Sequence, residues 1–236
     1  MPPKEPSLLQ LPEKHKGIFL RILKQLREPV NGLTHLLAAI VAAAGLIALL
    51  VIGHSSIGKG VSLLIYGCTL VLLFSASATY HLVEASPRVM GALRKVDHAA
   101  IYLLIAGSYT PFCYNMFSGF WKWGLLTIVW SLALLGVTLK VFIIRTPRWL
   151  NTAVYILMGW LVIFGLQEML AVLPVGALIW LAAGGVLYTL GAVIYVTRIL
   201  NFVPGKFGFH EVWHIFVILG ALAHYTAVIL YVAPTT

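Results

Sequence analysis

The sequence predicts an all-α, polytopic membrane protein with seven transmembrane helices. Of its 236 residues, 61% are hydrophobic and only 10% are charged. A helix needs about 20 residues to cross the bilayer hydrocarbon, and the apolar runs are too continuous for the alternating strands of a barrel. The seven runs are 33–52, 61–82, 98–117, 123–144, 150–172, 175–197 and 212–232. They make residues 28–236 one transmembrane domain and exclude a soluble catalytic domain.

Residues 1–27 are predicted to be a flexible leader that ends in an interfacial helix. From Lys14 onward, apolar residues recur at helical spacing while basic residues take the other faces. That pattern is typical of a basic amphipathic helix that lies on an anionic membrane surface.

The net charge of +9 is distributed in a way that orients a membrane protein and does not indicate nucleic-acid binding. Lysines and arginines lie in the leader and in the connections after the second, fourth and sixth runs. The opposite connections contain only Lys59 and Lys122. Because basic residues concentrate on the cytoplasmic side, we expect a cytoplasmic N-terminus and an outer C-terminus. Runs four to six are nearly free of ionisable groups and are expected to be scaffold.

Metal-ligand residue types cluster at the ends of these runs. His210 and His214 open the seventh run one helical turn apart, a spacing that lets two imidazoles hold one ion. Ser77 and His81 have the same spacing at the end of the second run, and Asp97 precedes the third. A lone buried histidine is more often a packing residue. In the predicted topology, however, all five residues lie at the cytoplasmic end.

The entry to the first run adds a second polar group at this end. Glu28, Asn31 and His35 are spaced i, i+3 and i+7, which places them on one stripe of a helix. Glu28 or Asn31 could instead cap the helix. A polar cluster shared with the other spans is the better interpretation.

These residues predict a zinc site near the cytoplasmic side of the membrane. His81, His210 and His214 supply three imidazoles, and three histidines with an open fourth position are the pattern of catalytic zinc. Asp97 is expected to orient the attacking water and to accept its proton. Ser77 is expected to donate a hydrogen bond to a substrate carbonyl or to a ligand.

The segment from His210 to His214 also matches the HExxH motif of zinc proteases, in which Glu211 would be the general base. The spacing argues against this role. His224 lies roughly 15 Å beyond His214 along a helix, too far for the same ion, and no acidic residue follows Glu211. Glu211 is better explained as a first-turn acid that the helix dipole favours.

These motifs resemble the hemolysin III branch of the progestin and adipoQ receptor family. The resemblance covers residues 28–230 and rests on Glu28-x-x-Asn31-x-x-x-His35, Ser77-x-x-x-His81 and His210-x-x-x-His214, together with Asp97. It implies seven helices, zinc on the three histidines and a water held by Asp97. It also implies kinship with membrane hydrolases that include ceramidases. The short leader favours the bacterial branch, which acts in membrane lipid homeostasis, and hence the bacterial inner membrane.

Three functions follow as hypotheses. The first is a zinc-dependent hydrolase of lipid amides or esters, whose partners are membrane lipids that enter between the helices. The second is a non-enzymatic membrane sensor or regulator with structural zinc. The third is a hemolysin-like pore, which would need a continuous polar stripe that runs four to six do not supply.

Overall fold

The computed structural model describes residues 26–142, 146–203 and 207–235, and helices dominate it. The α-helices are α1 (Pro29–Ile52), α2 (Ile57–Leu82), α3 (Pro87–Asn115), α4 (Gly119–Phe142), α5 (Arg148–Gly159), α6 (Leu166–Val172), α7 (Val175–Thr197) and α8 (Phe209–Tyr231). A 3-10 segment, Trp160–Gly165, joins α5 to α6. Within the described residues, one isolated bridge between Val203 and Phe207 is the whole of the β-structure. The predicted interfacial helix lies outside these residues.

Six of the seven predicted spans are long and apolar enough to cross a membrane. They correspond to α1, α2, α4, α7, α8 and the combined segment Arg148–Val172. The exception is α3, which has 29 residues but many polar ones. It also begins at Pro87, ten residues before Asp97, so the expected helix start near residue 98 was wrong. The early start has a physical reason, because Pro87 fixes a φ that suits the first helical turn.

The outer surface of the bundle is apolar. Large side chains such as Leu37, Phe142 and Phe164 are 64%, 79% and 78% exposed. A water-soluble protein rarely exposes contiguous apolar patches of this kind, whereas lipid tails solvate them. The chain is therefore a multi-pass membrane protein.

The first four helices pack as successive hairpins, and α7 and α8 form another that closes against α1. Small residues allow the close approaches: a side chain at Gly107 of α3 would collide with Thr69 of α2, a use of small residues that is common between membrane helices. The segment α5–α6 packs less tightly, against α3 and α7. This uneven packing leaves open space beside α5.

The two ends of the bundle differ in polarity. At one end the N-termini of α1 and α8 meet the C-terminus of α2, and the backbone N–H of Glu28 donates to the His81 carbonyl over 2.9 Å. At the other end the buried ammonium of Lys59 donates to the carbonyl and hydroxyl of Thr235. The predicted site residues lie at the first end.

Candidate metal centre

Three histidines from two helices converge at this end of the bundle. His81 lies one residue before the end of α2, and His210 and His214 occupy the first two turns of α8. One nitrogen from each ring lies within 4.8 Å of the other two. The ring centroids of His81 and His214 are 4.8 Å apart, and those of His210 and His214 are 4.7 Å apart. The group could hold a metal ion.

The donor set fits zinc. Zinc binds imidazole nitrogen at about 2.0–2.1 Å, which places the nitrogens of a tetrahedral site roughly 3.4 Å from one another. Because the candidate nitrogens already lie within 4.8 Å, small rotations of the rings suffice. All three residues are buried or half-buried, and a metal ion requires their imidazoles in the neutral form.

The carboxylate of Glu28 fixes which nitrogen of His81 is free. Nδ1 of His81 lies 2.7 Å from Oε2 of Glu28, so Nδ1 carries the proton and Nε2 presents its lone pair to the cluster. A carboxylate behind a histidine is the usual support of a metal-binding imidazole. The hydrogen bond from His81 lowers the pKa of Glu28 to about 2, which keeps this carboxylate ionised at neutral pH.

Asn31 links Glu28 to the start of α8. Its side-chain amide donates to Oε2 of Glu28 over 3.2 Å and to Oε1 of Glu211 over 2.8 Å. The other Glu211 oxygen accepts the Gly208 backbone N–H at 2.7 Å. Glu211 therefore caps α8 from its first turn and lies outside the three-histidine group. The contact between Asn31 and Glu211 spans 180 residues, and the sequence offered no signal for it.

His35 packs against the cluster without a hydrogen bond. Its ring stacks on that of His214, with centroids 3.9 Å apart and planes inclined by 18°. Both of its ring nitrogens, and Nδ1 of His214, are buried without a partner among the described residues. Of the predicted polar cluster, Glu28 and Asn31 contact each other, whereas His35 contacts the histidines instead. An unpartnered buried imidazole is costly, which indicates a role in the site.

A cavity of about 540 Å³ opens from the histidines. Asp97 and Ser77 line it together with His81 and His210. Asp97 is nearly buried, and its carboxylate lies 3.5 Å from Nδ1 of the neighbouring His98. That nitrogen lies closer, at 2.8 Å, to the carbonyl of Arg94. The predicted residues Asp97 and Ser77 thus face the same space as the histidines.

The cavity continues deep into the bundle along α3 and α8. It follows α3 from Asp97 to Phe112 and α8 from His210 to His224, which corresponds to roughly 20 Å at the helical rise per residue. Away from the histidines its lining is mostly apolar, and its far end is closed by Phe117 and Leu173 among others. The shape is that of a slot with one polar end.

The sequence of this chain is similar to those of several known proteins. The pattern of a family described as "Haemolysin-III related" matches residues 23–225. The chain belongs to the haemolysin-III-related family. It is 36% identical over 210 residues to Hemolysin-3 of Bacillus cereus, covering 88% of this chain and 93% of that protein. It is 34% identical over 206 residues to the Hemolysin-3 homolog of Bacillus subtilis (strain 168), covering 86% and 93%.

Members of the progestin and adipoQ receptor family also match this haemolysin-III-related chain. The Adiponectin receptor protein of Drosophila melanogaster is 29% identical over 231 residues, which cover 89% of this chain and 52% of that protein. The predicted resemblance to the hemolysin III branch of this family is confirmed.

Runs four to six were expected to be scaffold, but in this member of the haemolysin-III-related family the fifth and sixth runs contribute side chains to the cavity. Side chains of α5 and α7 line the cavity, among them Arg148, Tyr155 and Tyr195. The guanidinium of Arg148 lies 5.6 Å from the Tyr195 ring centroid. A tyrosine within an apolar run resembles a packing residue, so the sequence did not predict that these side chains line the cavity. On α7, the i, i+7 spacing of Tyr188 and Tyr195 was the available signal.

His224 lies far along the same cavity, away from the metal ligands. Its Nε2 is 3.2 Å from the carbonyl of Leu181, and its ring packs edge-on against Tyr188 with centroids 5.4 Å apart. The exclusion of His224 from the three-histidine group agrees with its predicted distance along α8.

Proposed function

We propose that the protein is a zinc-dependent hydrolase that cleaves an amide or ester bond of a membrane lipid and so acts in membrane lipid homeostasis. One observation carries the proposal: His81 and His210 of the three-histidine group line the polar end of a cavity whose remaining length is mostly apolar. A metal site that served only to hold helices together would not need such a cavity.

The residues at the polar end suit hydrolysis. His81, His210 and His214 would hold the ion, and three protein ligands leave a fourth position open. When bound, zinc supplies Lewis acidity and lowers the pKa of water to about 7. Asp97 would accept the proton of the attacking water and return it to the leaving group. Ser77 would donate its hydroxyl to the carbonyl oxygen of the substrate.

The shape of the cavity favours a lipid substrate. Its volume of about 540 Å³ falls within the usual range of small-molecule sites, roughly 300–1,000 Å³. A length of roughly 20 Å with apolar walls such as Leu104, Ile105 and Val217 accommodates one acyl chain. With that chain in the slot, the amide or ester group at its head would lie beside the histidines.

The proposed topology has seven spans, with the N-terminus in the cytoplasm and the C-terminus outside. The distribution of lysine and arginine between connections supports this orientation, and it puts the histidines near the cytoplasmic side of the bacterial inner membrane. We include α3 among the spans, which brings their number from six to seven. Between Asp97 and Thr110 its polar residues are buried or line the cavity, so this part of α3 needs few apolar side chains to cross the membrane.

A membrane sensor with structural zinc is the second candidate, and His35 is the observation that favours it. If this unpartnered ring turned toward the ion, four histidines would close the coordination, as in structural zinc sites. The similarity to a protein named Adiponectin receptor protein points the same way. Under this hypothesis, His35→Ala should weaken metal binding as strongly as His81→Ala does.

Asp97→Asn tests the hydrolase against the sensor. The substitution keeps the size of the side chain but removes the proton acceptor, so zinc should stay bound while lipid hydrolysis falls by about 100-fold or more. Zinc content and lipid composition would be measured for membranes that contain the wild-type protein, the variant or neither.

The matched control is Glu84→Gln, because Glu84 is exposed in the α2–α3 connection, outside the cavity. This variant should behave as wild type. Should Asp97→Asn retain zinc and change lipid amides and esters as the wild type does, the hydrolase proposal is wrong and the sensor is favoured. The hydrolase proposal would also be overturned if the wild-type protein altered no lipid amide or ester.

A further inference from the structure

A second recess lies between α4 and α5, on the side of α5 away from the histidines. It has a volume of about 340 Å³. We call this recess the α4–α5 groove. It exists because α4 packs mainly on α3, while α5 packs on α3 and α7. Asn151 lines both this groove and the cavity of the metal centre.

The polar end of the groove contains a buried cation without a counter-ion. The ammonium of Lys140 donates to Oγ1 of Thr146 over 2.8 Å and to the side-chain carbonyl of Asn151. Both acceptors are neutral, and Lys140 forms no ion pair with a carboxylate among the described residues. Lys140 is 7% exposed, and a buried charge is costly unless an opposite charge compensates it.

The ammonium has a donor to spare, because it has three N–H groups and two are engaged. A second cation lies nearby: Lys95 donates to the carbonyl of Val141, the residue after Lys140, over 2.6 Å. These two lysines create a positive potential at the end of α4. An anion is the missing partner.

The rest of the groove is apolar and runs away from the charge. Leucines of α4 between Leu132 and Leu139 form one wall, and α5 and the 3-10 segment form the other between Leu150 and Leu161. At 1.5 Å per residue these walls extend about 12–16 Å from the lysine toward the middle of the bundle. A positive end joined to an apolar track matches a lipid with an anionic head and an acyl tail.

We propose that the α4–α5 groove binds an anionic phospholipid of the surrounding membrane. The phosphate would lie on Lys140, and one acyl chain would extend between Leu135 and Leu157. This site is separate from the metal centre and does not depend on the hydrolase proposal. Through Asn151, the bound lipid would contact the wall that divides the groove from the cavity.

Native mass spectrometry of the full-length protein tests this proposal. Phosphatidylglycerol and phosphatidylcholine with identical chains would be the two probes. The wild type should prefer phosphatidylglycerol by about five-fold or more, the effect of one basic residue near an anionic headgroup. Lys140→Gln should abolish that preference, whereas Lys140→Arg should keep it. Leu135→Trp, which fills the groove, should weaken binding of both lipids.

Lys59→Gln is the matched control, because Lys59 is also buried but donates to Thr235 at the other end of the bundle. It should leave the preference unchanged. Equal binding of the two lipids by the wild type would overturn the proposal, and so would an undiminished preference in Lys140→Gln. Displacement of phosphatidylglycerol by inorganic phosphate at equal concentration would contradict the role of the acyl track. Zinc content should stay the same in every variant.

Discussion

Buried and half-buried histidines occur at two levels of the helix bundle, and they differ in what their nitrogens meet. At the polar level, His81, His210 and His214 direct ligand nitrogens toward one another within 4.8 Å. About three turns past His214 along α8, Nε2 of His224 meets the carbonyl of Leu181 at 3.2 Å. At the polar level, the lone pairs of the ring nitrogens are available to a metal ion or to a hydrogen-bond donor. The second level has a hydrogen bond that accounts for its burial.

The difference shows that convergence distinguishes a metal site from a packing histidine. A neutral imidazole has one donor and one acceptor, and a single backbone carbonyl is enough to hold it inside a helix bundle. Where three rings direct ligand nitrogens toward one another, a cation that joins them compensates for their burial. Burial alone does not separate the two cases, because His210 and His224 are both half-buried.

The largest expected effect is on zinc affinity, and it distinguishes the two histidine levels directly. His214→Ala should lower zinc affinity by more than about 100-fold, because even residues that only support a ligand are worth 10–100-fold. His224→Ala, the matched variant on the same helix, should keep about one zinc per chain. Metal analysis of the two variants, each as monodisperse protein, measures the zinc that each one retains. Zinc retained in His214→Ala but lost from His224→Ala would reverse the assignment of the two levels.

A smaller effect is expected from the carboxylate behind His81. Glu28→Gln keeps an oxygen that can accept the Nδ1–H of His81 but removes the negative charge that strengthens that bond. Zinc affinity should fall by about 10-fold, measured by competition with a fluorescent chelator. The backbone bond between Glu28 and His81 does not involve the substituted group. An affinity equal to that of the wild type would mean that the carboxylate serves the fold alone.

The sequence was sufficient to predict six long apolar spans and the three histidines that converge at one end of the bundle. The length and apolar composition of each span follow from the bilayer itself. Each helix must form its own backbone hydrogen bonds and present apolar side chains to lipid. The placement of His81, His210 and His214 at one end followed from the alternation of basic connections.

Contacts between distant helices could not be predicted in this way. The bond from Asn31 to Glu211 depends on how α1 packs on α8, and the groove at Lys140 depends on a gap between α4 and α5. The 3-10 segment Trp160–Gly165 interrupts a run without any proline. No local pattern marks such a break, because a tyrosine from another helix stabilises it.

That tyrosine provides the most local of the predicted effects, and it lies along the cavity. The hydroxyl of Tyr109 donates to the carbonyl of Gly159 at 2.7 Å and accepts the backbone N–H of Val162 at 3.0 Å. Tyr109→Phe leaves both backbone groups without this partner. The cost should be about 1–2 kcal/mol, concentrated in the 3-10 segment. The metal centre, which lies on α2 and α8, should keep its zinc.

Hydrogen exchange of the amides in Trp160–Gly165 measures this effect where it arises. Exchange there should accelerate by roughly 5- to 30-fold, the equivalent of 1–2 kcal/mol, while the amides of α2 stay protected. Tyr114→Phe is the control, because the Tyr114 hydroxyl has no hydrogen-bond partner among the described residues, and it should leave exchange unchanged. If Tyr109→Phe released zinc as readily as His214→Ala does, the break in this span and the metal centre would form one cooperative unit. The two histidine levels would then not be independent.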